Sequence, residues 1–123
     1  MAPGRQSEQV VRRSSGEVLC DRCVVADSAF ARMRGLLGRR GLRQGEGLLL
    51  RPASSIHTAY MRFSIDAVFL DRDGVVVKVV TNLRPWQAAA ARRARAVLEL
   101  AAGECKRYDL RAGERLALEP RPA

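Results

Sequence analysis

The chain has 123 residues, of which 47% are hydrophobic and 28% charged, a composition that predicts one folded domain and excludes a disordered chain. Lysine and arginine number 22 against 13 aspartates and glutamates, which gives a formal net charge of +9. No apolar run approaches the roughly 18 residues of a membrane span, and the polar N-terminus is unlike a secretory leader, so we expect a cytoplasmic protein.

The beginning of the chain is predicted to be a disordered leader. Residues 1–16 carry turn-forming and charged residues with little apolar periodicity. The globular domain is expected to span residues 17–119, with a short tail at 120–123. Residues 18–25 are mostly β-branched or cysteine and predict the first strand of that domain.

One amphipathic helix is predicted after this strand. Its apolar positions recur at spacings of three and four residues, which places them on one face: Ala29, Phe30, Met33, Leu36 and Leu37. Arg34 and Gly35 lie on the same segment. Because glycine is a poor helix former, we expect Gly35 to allow a close approach between helix and sheet.

The rest of the chain is predicted to be mainly strand. Residues 48–50, 56–61 and 65–70 are short apolar strands, and an Asp-Arg-Asp-Gly turn ending at Gly74 leads into a returning strand at 75–81. The alanine-rich stretch 87–95 predicts a helix, and 97–100 and 116–118 predict further strands. The sum is an α+β domain with a curled or barrel-like, mainly antiparallel sheet of about six or seven short strands, one packed helix and one or two short helices.

Five motifs, in fixed order over residues 24–118, resemble those of the domain-of-unknown-function family 192, in its branch with the His-Thr and Met-Arg-Phe motifs. The residues that carry the resemblance are Arg32-x-Arg34-Gly35-Leu36-Leu37, Gly45-x-Gly47-Leu48-Leu49, His57-Thr58-x-x-Met61-Arg62-Phe63-x-Ile65-Asp66, Val97-Leu98-Glu99-Leu100-x-Ala102-Gly103 and Ala112-Gly113-Glu114. The resemblance implies a compact, β-rich, barrel-like fold with a packed helix. It implies no reaction, since the family is uncharacterised. Gly35, Glu99 and Gly103 of these motifs are interpreted as structural positions, as is Gly74 of a further match at Asp73-Gly74-x-Val76.

Asp66 is the most informative polar residue of the central motif. In a strand at 65–70 it shares a face with Val68 and Leu70, so its carboxylate is expected to be buried. A buried carboxylate must be paired or hydrogen-bonded. It either pairs with His57 or an arginine at a pocket, as an acid–base group, or holds backbone amides in a structural role.

The sequence supports three classes of function. The first is a non-enzymatic binding or accessory domain for a polar or anionic small ligand or protein partner, with a cleft formed by Arg34, His57, Met61, Arg62 and Asp66. The second is a hydrolase or lyase that uses His57 and Asp66 as an acid–base pair. The third is a protein with a basic interaction surface; nucleic acid ranks low as its partner, because aromatic residues are only 5% of the chain and most of its cations are arginines of background composition.

Other reactive side chains are expected to be structural. Cys20 and Cys23 have the spacing of zinc ligands, but in a strand their side chains are predicted to point to opposite faces, so we expect neither a metal nor a cofactor. Glu99 is expected to face solvent or to pair with an arginine. Among the aromatic residues, Trp86 is the one most expected to be partly exposed.

Overall fold

A computed structural model of the protein describes residues 8–26 and 41–122. The predicted helix, with Arg34 and Gly35, lies outside these residues. The elements in the described part are β1 (Glu8–Arg13), β2 (Val18–Ala26), β3 (Glu46–Leu50), β4 (Ser55–His57), β5 (Ile65–Leu70), β6 (Val76–Leu83), β7 (Ala88–Ala90), β8 (Ala96–Ala101), α1 (Glu104–Arg107) and β9 (Leu116–Pro120).

Seven strands form one mixed sheet in the order β6-β5-β8-β3-β2-β1-β9, and β4 and β7 form a separate two-stranded ribbon. All pairs in the sheet are antiparallel except β2 with β3. The two edge strands, β6 and β9, are not paired with each other; only the residues at their beginnings are joined, by a bridge between Val75 and Arg115 and a few backbone hydrogen bonds, so the expected barrel is not closed. The described residues are also richer in strand than an α+β domain, since their single helix, α1, is one turn long.

Apolar side chains pack on both faces of the sheet, as the strand β5 illustrates. The alternation predicted for residues 65–70 is confirmed: its two sets of side chains enter two different apolar cores. We call them the helix-side core, which includes Val68, Leu70 and Cys105 of α1, and the ribbon-side core, which includes Ala67, Phe69 and Ile56 of β4. The β4–β7 ribbon therefore covers one face and α1 part of the other.

The predicted disordered leader is wrong for its second half. Residues 8–13 form β1, which lies between β2 and β9 in the sheet, and Val10 and Val11 are buried. The segment has only two β-branched residues, Val10 and Val11, and it is held by pairing with β2 on one side and with β9, more than a hundred residues away, on the other. Arg13 binds Glu114 through two hydrogen bonds of 2.6 and 2.7 Å and also the Tyr108 carbonyl.

Replacing Arg13 by alanine is expected to lower the free energy of unfolding by about 2 kcal/mol, because it leaves the half-buried Glu114 without its bidentate partner. Arg12 is the matched control, since its pair with Glu119 is more exposed and is expected to contribute less than about 1 kcal/mol. Urea unfolding of both variants measures the difference. Equal effects would contradict a specific role for the Arg13 pair.

The alanine-rich stretch is not a helix. Ala88–Ala90 pairs antiparallel with Ser55–His57, and the chain then turns at residues 92–93. Helix propensity is a weak preference that tertiary contacts override, and here Ala89 packs against the ribbon-side core. The strand predicted at 56–61 is likewise shorter, because the chain leaves β4 after His57 and turns at Tyr60.

The side chains of Cys20 and Cys23 were predicted to point to opposite faces of the sheet, but they point to the same face. Gln9 pairs with Cys23 and Val11 with Cys20, so β2 has one more residue than β1 in this interval and forms a bulge. The extra residue changes the parity of the strand, and both thiols enter the helix-side core. A hydrogen bond between them lowers the pKa of Cys20 and, together with burial, raises that of Cys23.

The predicted turn at Gly74 is confirmed, and its glycine is required. Gly74 has φ +80°, and a Cβ there would lie 2.5 Å from the Leu116 carbonyl oxygen. This close approach brings the β5–β6 turn against the start of β9. At the other end of β9, Pro120 pairs with Gln9, so the predicted tail begins one residue later.

Candidate functional site

Asp66 is fully buried and its carboxylate binds the backbone. Oδ1 accepts the N–H of Asn82 at 2.8 Å, and Oδ2 accepts those of Gly103 and Cys105 at 3.0 and 2.9 Å. These bonds join the end of β6 to the turn that opens α1, where Gly103 has φ +97°. Of the two roles considered for Asp66, the contacts are those of a structural carboxylate that holds loop amides.

An open groove of about 560 Å³ lies beside Asp66 on the helix-side face. Its chemistry is limited, because the Asp66 oxygens are already bonded to amides. Burial and the nearby Asp66 carboxylate raise the pKa of the Cys105 thiol to about 12, so that thiol stays protonated at neutral pH. The two buried groups of the groove, Asp66 and Cys105, therefore offer neither a free base nor a thiolate.

His57 and Asp66 do not meet. Asp66 shares its face with Val68 and Leu70 of the helix-side core. His57 belongs to β4, whose central residue Ile56 packs into the ribbon-side core. The sheet thus separates the two side chains, and the acid–base pair that the sequence suggested is not formed.

Glu99 is buried, contrary to the expectation that it faces solvent. Its side chain is 3% exposed and lies between Leu48 and Ala67, its neighbours on β3 and β5. Within residues 8–26 and 41–122 it makes no ion pair. Desolvation raises its pKa to about 8, because an ionised carboxylate is unfavourable in an apolar core.

The most unusual surface feature is a pair of aromatic rings beyond the His57 end of the ribbon. Tyr60 and Trp86 are 73% and 66% exposed, and their ring centroids are 4.8 Å apart in an edge-on arrangement with an interplanar angle of 61°. The exposure expected of Trp86 is confirmed. Both residues have positive φ, 67° and 63°, a conformation that costs a non-glycine residue roughly 1–2 kcal/mol.

Thr58 holds the two loops that carry these rings. It is fully buried; its hydroxyl donates to the Arg84 carbonyl and accepts the N–H of Gln87 at 2.9 Å. Its backbone carbonyl accepts the N–H groups of Met61 and Trp86 at 3.1 and 3.2 Å. One threonine therefore fixes both left-handed turns and the spacing between the rings.

The charges around the rings all have one sign. Arg62 and Arg84 are exposed and lie two residues from Tyr60 and Trp86 along the two loops, and His57 is exposed at the end of β4. We call Tyr60, Trp86, Arg62, Arg84 and His57 the aromatic site. It can stack on a flat or apolar group and donate hydrogen bonds to an anion.

The structure divides the residues predicted to form one cleft. His57 and Arg62 belong to the aromatic site, Met61 is buried beneath it in the ribbon-side core, and Asp66 lies on the opposite face of the sheet. Arg34 lies outside the described residues. No cluster of three possible metal ligands occurs in the part of the chain that the structure describes.

Sequence reasoning missed Thr58 and Arg84 as members of a site. The pairing of the two loops depends on contacts between residues 26 to 29 positions apart. One signal was nevertheless readable: the segments 51–65 and 84–95 contain several arginines and no aspartate or glutamate.

The fold defines a small β-rich protein built on one mixed sheet with a two-stranded ribbon across one face. The chain belongs to the domain-of-unknown-function family 192, described as Uncharacterized ACR, whose sequence profile matches residues 10–118. This confirms the family indicated by the motifs. No helix in the described residues is long and apolar enough to cross a membrane.

Relatives share this fold at low identity. Over 82 residues, 63% of this chain, it is 33% identical to a UPF0127 protein of Thermococcus sibiricus (strain DSM 12597 / MM 739), and the match covers 53% of that relative, about half its length. The crystal structure of a proposed transcription regulator from Sinorhizobium meliloti 1021 is similar with a TM-score of 0.80 and 22% identity, over 96% of this chain and 97% of that one. A protein of unknown function from Novosphingobium aromaticivorans DSM 12444 is similar with a TM-score of 0.77 and 22% identity, over 95% and 90%. At such identity these structures establish the fold alone.

Proposed function

We propose that this protein is a binding domain for a polar, anionic ligand, and that the ligand is held at the aromatic site. The observation that carries the proposal is the exposure of Tyr60 and Trp86 side by side, each in a left-handed backbone conformation. Strained, exposed residues held in place by buried neighbours are typical of binding sites.

The arrangement contributes little to folding. The rings remain mostly in water, so they bury little apolar area, and each left-handed residue costs free energy. The hydrogen bonds of Thr58 nevertheless hold the two loops together. A surface that is stabilised at a cost and then left exposed fits a role in recognition.

The chemistry of the site favours binding over catalysis. Arg62 and Arg84 are permanent cations that match phosphate, sulfate or carboxylate groups. His57 has no carboxylate beside it among the described residues, because Asp66 is on the other face of the sheet. An acid–base reaction at this site lacks the partner that the hydrolase or lyase hypothesis required.

Trp86 is the only tryptophan of the chain, so its fluorescence reports on this site directly. We expect a saturable change in emission when the protein is titrated with a nucleoside monophosphate or with a sulfated disaccharide. Replacing Tyr60 by alanine is expected to weaken the binding that Trp86 reports about fivefold to tenfold, since an aromatic contact contributes roughly 1 kcal/mol.

Tyr108 is the matched control, since it is the other tyrosine of the chain and lies beside Arg13 and Arg107. Tyr108→Ala is expected to leave the titration unchanged. If neither anion alters Trp86 emission, or if Tyr60→Ala binds as the unmodified protein does, the aromatic site is not the binding site and the proposal is wrong.

A further inference from the structure

We propose that the ligand of the aromatic site is single-stranded nucleic acid, whose bases stack on Tyr60 and Trp86 and whose phosphates follow the β4–β7 ribbon. This inference rests on the function proposed above and names the class of its ligand. Three independent features of the ribbon support it: its unpaired charge, its length and its shape.

Five exposed arginines of the ribbon layer form no ion pair with a described residue, as is also true of Arg22, Arg72 and Arg115 outside that layer. Within the described residues, no ion pair is formed by the exposed side chains of Arg62, Arg84, Arg92, Arg93 and Arg95. In contrast, carboxylates bind five arginines of β1, α1 and the segments that follow α1 and β9: Arg12, Arg13, Arg107, Arg111 and Arg121.

The lack of ion pairs in the ribbon layer has a simple origin in the sequence. The segments 51–65 and 84–95, which contain the ribbon and its turns, have no aspartate or glutamate at all. These two segments therefore carry a net charge of +6, a large share of the +9 of the whole chain, and within the described residues they are the part richest in uncompensated charge. Such a surface attracts a polyanion and gains free energy from the release of its counterions.

The length of the ribbon indicates a polymer. Arg84 and the aromatic pair lie beyond the end where His57 pairs with Ala88, while Arg92 and Arg93 follow the end where Ser55 pairs with Ala90. Four residues of extended chain between Ala88 and Arg92 correspond to about 13 Å. A small anion can contact one of these ends, whereas a chain of a few nucleotides reaches both.

The outward face of the ribbon leaves room for such a chain. Ile56 and Ala89 point into the core, so the outward positions are Ser55, His57, Ala88 and Ala90, most of which are small. Lys78 adds a cation to the far end, where its Nζ lies 2.8 Å from the Ala90 carbonyl oxygen.

The exposed rings of Tyr60 and Trp86 favour a single strand over a duplex as the ligand. Exposed aromatic side chains stack on unpaired bases with little dependence on sequence, and each stacked base contributes roughly 1–3 kcal/mol. The bases of a duplex are already stacked on each other and present only their edges in the grooves. We therefore expect a preference for single strands and no marked sequence specificity.

The test is fluorescence anisotropy of a labelled twelve-residue oligothymidylate titrated with the full chain at several salt concentrations. We expect binding at low salt that weakens steeply as salt increases, with a slope near −0.7 per phosphate contact. Arg92→Gln with Arg93→Gln should reduce that slope by about one to one and a half. Tyr60→Ala with Trp86→Ala should weaken binding about tenfold or more.

Arg107→Gln with Arg111→Gln is the matched control, because it removes the same charge from the other side of the sheet. This control is expected to bind as the unmodified protein does. A duplex of equal length and heparin, a polyanion without bases, should compete at least tenfold more weakly than the oligothymidylate.

Three results would overturn the inference. If heparin or the duplex competes as well as the single strand, the ribbon is a general polyanion surface. If the oligothymidylate does not bind while the sulfated disaccharide still changes Trp86 emission, the site binds anions but not nucleic acid, and only the proposed function stands. If neither the oligothymidylate nor the sulfated disaccharide changes the emission of Trp86, both the proposed function and this inference are wrong.

Discussion

Replacing Asp66 by asparagine is expected to lower the free energy of unfolding by about 3 kcal/mol, and the melting temperature by about 10 °C or more. The carboxylate accepts three backbone N–H groups, from Asn82, Gly103 and Cys105. An amide nitrogen in place of one oxygen turns an acceptor into a donor facing those groups, so at least one buried N–H loses its partner. Thermal and urea unfolding followed by circular dichroism measure the loss.

Asp109→Asn is the control for this prediction. Asp109 also lines the groove on the helix-side face, but its side chain is 75% exposed and it has φ 51°, which asparagine accepts readily. It should change stability by less than about 0.5 kcal/mol. An Asp66→Asn protein as stable as the control, yet defective in ligand binding, would show that Asp66 acts in a site rather than in the fold.

The contribution of Glu99 to stability is expected to be lost as the pH rises from about 4.5 to about 8. Desolvation raises the pKa of Glu99 to about 8 in the folded state, from an ordinary value of 4.5. A folded-state pKa above the unfolded value means that the unfolded chain releases its proton first, so this contribution is fully present below pH 4.5 and is lost through the window up to pH 8.

Glu99→Gln removes this dependence. Below pH 4.5 the variant and the unmodified protein should be about equally stable, and above pH 8 the variant should be more stable by on the order of 3 kcal/mol. The measurement is urea unfolding of both proteins between pH 4 and pH 9, compared as a difference so that the other carboxylates cancel. A difference that does not vary with pH would contradict the buried, neutral state of Glu99.

The central strands could be predicted because their information is local. Alternation of side chains over residues 65–70 and the turn ending at Gly74 are properties of consecutive residues, and both are confirmed. The strand β1 was missed because its sequence is polar and only Val10 and Val11 are buried; it pairs with the neighbouring β2 and with β9 at the other end of the chain. The helix predicted over residues 87–95 was wrong because the helix propensity of its alanines is weaker than the pairing of β7 with β4.

The burial of Asp66 followed from its place in an apolar strand, but its partners did not. They are backbone N–H groups at separations of 16, 37 and 39 residues, and nearly every residue of a chain carries such a group. The prediction therefore looked for His57 and Arg62 among the side chains. Only the folded sheet shows that His57 lies on its other face.

The aromatic site depended on tertiary structure in the same way. Tyr60 and Trp86 are far apart in the sequence, and their contact requires two loops that Thr58 joins by hydrogen bonds. The absence of acidic residues near both aromatics was visible in the sequence. Its meaning emerged only when pairing of β4 with β7 brought the two acid-free segments into one layer.

The sequence by itself determined the family, most of the central strands and the burial of Asp66, because alternation, turns and motif order are local properties of the chain. Tertiary structure decided which residues meet: the amides around Asp66, the parity of the cysteine pair, the burial of Glu99 and the aromatic site. The physical reason is that these contacts join distant segments, whose pairing depends on how the whole sheet packs on its two faces. The charge of +9 illustrates both parts, since its size is a property of composition and its concentration on one ribbon is a property of the fold.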